Sequence, residues 1–197
     1  MMNVPPALPR RYVVTPEPAS ASDADCATFL EHLSAVLARG EMLVQLRIKS
    51  FDEEAFFRIA QHALARCDAA GATLLLNGKI ADAALASLPR AGRHLDGTAL
   101  HAATRRPLPA GRLVCAACHT LDDLRRAERI GVDFVTLSPV LPTLSHPGAP
   151  TLGWERFATL AAQVAVPVYA LGGMTRAHLD DARRHHAYGI AGIRDFW

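Results

Sequence analysis

No apolar run in the sequence approaches the ~20 residues that carry a helix across a bilayer, so a helical membrane protein is excluded. Net charge is only +2, so binding to nucleic acid through bulk charge is not expected. Cysteine is scarce, with Cys26, Cys67, Cys115 and Cys118 the complete set. The Met1 to Arg11 segment carries prolines and no apolar core, so no signal peptide is expected and a cytoplasmic location follows by default. Disulfides are then not expected. The nine histidines show no two-His spacing supported by a carboxylate, and no metal site is expected from them. No G-x-G-x-x-G follows the first predicted strand, which argues against a dinucleotide-binding sheet.

What is present is a hydrophobic content of 50% over 197 residues, enough for one good core and one domain, residues 1–197. Tyr12 to Thr15 reads as a first strand, broken by Pro16 and Pro18. Asp23 to Ala38 has helical spacing through Phe29, Leu33, Val36 and Leu37, with Gly40 as a stop. Met42 to Leu46 is a second strand, and Ser50 is the expected cap of a helix over Asp52 to Ala69. Thr73 to Leu76 ends at Asn77-Gly78, Ile80 to Leu88 is a short helix, and Gly92 to Leu95 is a fourth strand. Leu113 to Ala117 follows, and Thr120 caps a helix over Leu121 to Arg129.

The most telling stretch runs from Phe134 to Met174. A strand, Phe134 to Leu137, enters a proline-rich loop from Ser138 to Pro150, then a helix-length segment from Trp154 to Gln163. A further strand, Val166 to Leu171, halts at Gly172-Gly173. A helix over Thr175 to Arg184 and a strand over Gly189 to Ile193 complete the pattern. Strands alternating with helices demand parallel pairing and right-handed crossovers. About eight such units close most naturally as a small α/β fold, the (β/α)₈ TIM barrel; an open doubly wound sheet is the rival.

In such a barrel ligands sit beyond the C-terminal strand ends. The polar residues that follow the apolar runs are Arg47, Lys49, Asn77, His119, Ser138, Thr143, Ser145, His146, Gly172-Gly173 and Arg194. The set is cationic and rich in donors, which suits an anionic ligand such as a phosphate ester. Arg47 and Lys49 lie two apart on one side of a strand, where they repel unless an anion lies between them. Gly172-Gly173 permits close backbone approach to a phosphate, with the Thr175 helix aimed at it. His119 is the candidate general acid/base, while His94 and His101 read as surface residues. Cys115 to His119 matches C-x-x-C-H, a haem-attachment signature. Inside an apolar strand of a chain without an export signal, its cysteines read as core.

At Gln45 to Lys49, Leu76 to Lys79, Ala117 to His119, Ser138 to Gly153 and Ala170 to Met174, the chain resembles the thiamine phosphate synthase family and its relative, the thiazole tautomerases. The piece Leu137 to Val140 with Ser145 to Pro150 especially resembles relatives fused behind Nudix hydrolase domains, although no Nudix domain occurs in these 197 residues. The resemblance implies a barrel in which Gly172, Gly173, Ile193 and Arg194 surround a thiazole phosphate. It implies that Arg47, Lys49 and Asn77 face the pyrophosphate of a pyrimidine substrate, with Thr143 and Ser145 lining the same mouth. The implied partner is a small molecule, a thiazole phosphate or thiamine phosphate, without nucleic acid or membrane; a homodimer is the one assembly considered.

Three departures bear on mechanism. Gly78 stands where synthases carry Asp after the Asn of the third strand, and His146 stands for an expected Lys. Ala91 aligns with a second Asp, although another register brings Asp96-Gly97 there. With both magnesium carboxylates read as missing, the expectation is a tautomerase-type enzyme with His119 as its base and no cofactor. The alternatives are a magnesium-using synthase and a non-catalytic binder of the same phosphates.

Overall fold

Strands such as LVQLR, VCAAC and FVTL are four or five residues long and almost wholly buried on both faces, as parallel strands covered by helices must be. The computed structural model describes residues 8–143, 148 and 150–197. The elements are β1 (Arg11–Val14), α1 (Asp23–Ala38), β2 (Leu43–Arg47), α2 (Glu53–Ala69), β3 (Thr73–Asn77), α3 (Asp82–Ala86), β4 (Gly92–Leu95) and α4 (Gly97–Ala102). They continue with β5 (Val114–Cys118), α5 (Leu121–Ile130), β6 (Phe134–Leu137), α6 (Gly153–Ala161), β7 (Val168–Leu171), a 3₁₀ turn (Arg176–His178), α7 (Leu179–Arg184) and β8 (Gly189–Gly192). Each strand pairs in parallel with the next, and β8 closes on β1, giving the expected (β/α)₈ barrel. None of the described helices is long and apolar enough to cross a membrane.

Period-two alternation sorts the strand side chains into two cores. Val44, Leu46, Leu74, Leu76, Val135 and Leu137 face outward onto the helices and meet Leu33, Phe56, Leu124 and Phe157. Tyr12, Leu43, Leu75, Cys115, Phe134 and Tyr169 face inward and fill the lower barrel. Their rings pack edge-on, Tyr12 and Phe134 at 5.2 Å and Phe134 and Tyr169 at 5.1 Å. The segment before β1 seals the base, where Leu8 and Pro9 accept hydrogen bonds from the hydroxyls of Tyr188 and Tyr169. Cys115 and Cys118, three apart, fall into different cores, and burial pushes both thiols up. They are core residues, as expected, and cannot face one another.

Several boundaries differ from expectation. Asp52, not Ser50, caps α2 by accepting the Ala55 N–H at 2.8 Å. α3 is only Asp82–Ala86, and the chain between β7 and α7 opens with a 3₁₀ turn rather than one continuous helix. α4 was not expected at all; Asp96 starts it by accepting the Ala99 N–H at 2.9 Å. Thr120 caps α5 as expected, in a reciprocal box with Asp123.

Gly92 opens β4 where a Cβ would lie 2.5 Å from the Leu113 carbonyl oxygen and 2.9 Å from Leu75 Cγ. Gly92→Ala is expected to cost about 1–3 kcal/mol. Each kcal/mol lowers Tm by roughly 2–4 °C at this chain length. An unchanged melting curve would show that β4 and β5 can spread at no cost.

Candidate active site

Above the aromatic layer the barrel interior turns polar. Asn77 donates to Gln45 Oε1 at 2.9 Å, which fixes the Gln45 amide so that its Nε2 donates to Tyr12 Oη at 3.3 Å and His94 Nδ1 at 3.1 Å. Tyr12 Oη lies 3.2 Å from the same ring nitrogen. His94 therefore accepts at Nδ1 and carries its ring proton on Nε2. Burial lowers its pKa to about 3, with the nearby cations Lys49, Arg47 and Arg93 acting in the same sense and Asp96 opposing. His94 is a neutral floor residue, 4% exposed, not the surface residue that the sequence suggested. His101 is exposed as expected, but its Nε2 pairs with Asp123 at 2.8 Å.

The cations at the β2 end are not left to repel each other. Arg47 pairs with Glu17 at 3.6 Å and Lys49 with Asp96 at 2.5 Å. Glu17 also accepts the backbone N–H groups of Lys49 and Ser50 and the Ser50 hydroxyl. Burial opposes ionisation of Glu17, yet these hydrogen bonds and Arg47 hold its pKa below the ordinary value. The sequence reading missed Glu17, which lies between Pro16 and Pro18 just beyond β1. Its signal was position: it follows a strand end like every other mouth residue.

Beyond β2, β3 and β4 a cavity of about 240 Å³ is lined by Lys49, Asn77, Lys79, Arg93, His94 and Asp96, among others. Asn77 is buried in its wall. Alternation starts the Arg93 side chain on the outer side of β4, opposite His94, yet it reaches the cavity lining, and its Nη1 is buried with no hydrogen-bond partner.

On the β5–β6 side, His119 is exposed at the mouth and its Nδ1–H donates to the Ser138 carbonyl at 2.9 Å, leaving Nε2 as the basic nitrogen of the neutral ring. Ser138 Oγ lies 3.4 Å from the same Nδ1. Asp123 Oδ2 accepts the backbone N–H groups of His119 and Thr120 at 2.9 and 3.0 Å, so α5 and His119 share one anchor. Thr143 is half-buried in the loop beyond β6. Ser145 and His146 lie outside the described residues.

Across the barrel, Gly172 and Gly173 adopt φ +97° and +69°. A Cβ at Gly172 would lie 2.8 Å from Pro139 Cα, and one at Gly173 2.7 Å from the Pro142 carbonyl oxygen. Packing of the β6–α6 loop alone thus demands both glycines. Ile193 and Arg194 follow β8 beside them, and Arg194 is exposed. The first turn after the glycine pair is already engaged: the Arg176 N–H donates to Asp195 at 2.6 Å and the Thr175 N–H to His178 Nδ1 at 3.0 Å. The long helix expected to aim its N-terminus here is therefore replaced by an internally satisfied 3₁₀ turn.

The magnesium that a synthase implies does not fit these residues. At Gly78 a Cβ would lie 2.2 Å from the Phe56 ring and 2.7 Å from the Ile48 carbonyl oxygen, so no carboxylate can stand there. Ala91 is buried at the foot of β4, where its carbonyl accepts from Arg112 Nε at 2.8 Å. That corrects the alignment: the mouth-side acid of this strand is Asp96, at the opposite end. Asp96 is committed to Lys49 and to the cap of α4. Burial opposes its ionisation, but the Lys49 hydrogen bond, the Ala99 N–H and the Lys49 charge keep its pKa low. One engaged carboxylate among cations is a poor match for an octahedral oxygen shell, and among the described residues no group of three His, Cys, Asp or Glu could hold a metal.

Two outcomes follow from this geometry. Gly78→Asp, which would restore the missing acid, is expected to lower stability by about 1–3 kcal/mol through overpacking against Phe56; a Tm equal to that of the wild type would show that the ring gives way. His94 has a folded pKa far below the 6.5 of the unfolded chain. Its contribution to stability is full above pH 6.5 and falls as pH drops from there toward 3, by up to about 1.4 kcal/mol per unit. Between pH 7 and 5, denaturation of His94→Gln should depend less on pH than that of the wild type; parallel curves would contradict the neutral imidazole.

The sequence matches the family described as thiamine monophosphate synthase over residues 12–196. It is 34% identical over 189 residues to a putative thiamine-phosphate synthase 2 of Aquifex aeolicus, covering 96% of this chain and 98% of that one. It is 32% identical over 166 residues to a thiamine-phosphate synthase of Chlorobium luteolum, covering 83% and 77%. In fold it is similar to a thiamine phosphate pyrophosphorylase from Pyrococcus furiosus, with TM-score 0.71 and 20% identity over 93% of this chain and 85% of the other. With its barrel closed, its mouth polar and the match running from the first strand to the penultimate residue, the chain belongs to the thiamine monophosphate synthase family.

Proposed function

We propose that this protein is a transferase of the thiamine phosphate synthase type, joining a pyrimidine pyrophosphate to a thiazole phosphate with departure of pyrophosphate. The observation that carries this reading is the cation-lined cavity beyond β2–β4, across the barrel from the glycine pair of β7. An isomerase acting on one phosphorylated substrate has no use for a second anion-receptive end, whereas a transferase with a phosphate and a pyrophosphate substrate needs both. The names of the relatives point the same way. This moves weight from the tautomerase expected on sequence to the synthase alternative.

In this reading Arg47, Lys49 and Asn77 face the pyrophosphate, and Gly172, Gly173, Ile193 and Arg194 take the thiazole phosphate. Ser138, Thr143, Ser145 and His146 line the mouth between them. His94, locked through its Nδ1 by Gln45, presents its Nε2–H as a fixed donor to the pyrimidine and needs no reorganisation as it reacts. We assign the reaction to the cytoplasm, where the four free thiols stay reduced.

A second reading, the tautomerase, is favoured by one observation: the Ser138 carbonyl holds His119 in the tautomer whose Nε2 is free to take a proton.

Product formation from the two phosphorylated substrates separates the readings. Condensation is expected in the wild type, with Arg47→Ala lowering kcat/KM by about 100-fold. Absence of product with and without magnesium sinks the transferase. If the thiazole carboxylate tautomer is converted instead, and His119→Asn abolishes that turnover while still binding the phosphate, the second reading stands.

A further inference from the structure

The chain has two lysines, Lys49 and Lys79, and both line the cavity beyond β2–β4. Arg93 is the third cation there, and Asp96, already bound to Lys49, is the one carboxylate named in its lining. His94 contributes no charge. Lys79 is exposed at the rim and forms no ion pair among the described residues. Arg93 is the sharper anomaly. Its guanidinium lies largely within the fold, Nη1 has no partner, and no carboxylate among the described residues is ion-paired to it. Burial lowers its pKa, and Asp82 and Asp96 only partly offset that from a distance. A desolvated cation left without a partner is costly, and the cost disappears when an anion enters the cavity.

The same cavity is where the family would place magnesium beside a pyrophosphate, and this chain's donor set refuses the metal. Gly78 has no room for an acid, and Asp96 is turned to Lys49. We propose that this cavity takes a phosphate or pyrophosphate group directly on Arg93 and Lys79, protein cations standing in for the divalent metal. Arg93 offers a fork of donors to two phosphate oxygens, and Lys79 adds a mobile point charge at the rim. The transferase reading supplies only the identity of the ligand; the anion site stands on the partnerless Nη1 of Arg93 and the gathered lysines.

The test is calorimetric titration of the full chain with inorganic pyrophosphate, and in parallel with inorganic phosphate, in EDTA and in excess magnesium. Wild type is expected to bind pyrophosphate in EDTA with an affinity that magnesium does not raise. Arg93→Met should weaken binding at least tenfold and Lys79→Ala severalfold, while Arg183→Ala, exposed on α7 and outside both phosphate sites, leaves it unchanged. Arg93→Met should also melt no lower than the wild type without ligand, because an unpaired buried charge has been replaced by an apolar chain of similar length. An arginine needed only for folding would lower Tm instead, and that result overturns the proposal. So does binding that requires magnesium, binding untouched by Arg93→Met, or binding abolished by Arg183→Ala. Pyrophosphate binding with this pattern in a protein that forms no condensation product upholds the site and removes only the transferase reading.

Discussion

Gln45 joins four strands through one amide: it accepts from Asn77 of β3 and donates to Tyr12 of β1 and His94 of β4 from its own place on β2. The rest of the mouth depends on that junction. Below it the barrel is filled by Tyr12, Phe134 and Tyr169, and above it the walls carry Arg47, Lys49 and Asp96. A buried amide must satisfy both ends, so Asn77 and His94 have one arrangement available, and with it the tautomer of His94 is set. The charged rim stands on a floor that does not adjust.

The barrel was legible because its signals are local and repetitive. Apolar runs alternate with helical spacing, and capping residues such as Thr120 mark their starts. α1 and β4 occupy the residues expected of them. α4 was not legible, because six residues carry too few periods to register and its start, Asp96, also reads as a loop acid. His94 looked like a surface histidine for a related reason. In a four-residue strand, facing inward or outward is decided by register against β3 and β5, which sequence does not contain. The partners of the mouth cations, Glu17 for Arg47 and Asp96 for Lys49, are 30 and 47 residues distant in sequence. Only the closure of the barrel brings them together.

Relatives at 32–34% identity share the family but do not dictate this chain's charge layout. The Phe56 ring packed at Gly78, and the two lysines and Arg93 gathered nearby, change how a pyrophosphate is met at the β3–β4 end. The glycine pair of β7 tells a different story. Its conformation follows from contact with Pro139 and Pro142, so its presence in the sequence is explained by loop packing before any ligand is considered.

Asp123 has a wider reach than helix capping. Its carboxylate ties down the amides of His119 and Thr120 and the ring of His101, so the start of α5, the tip of β5 and the end of α4 share one anchor. The small helix α4 is thereby linked, through one carboxylate, to the backbone that carries the imidazole at the mouth. His101, on a helix with no catalytic candidate of its own, is in this way part of what holds His119 in place.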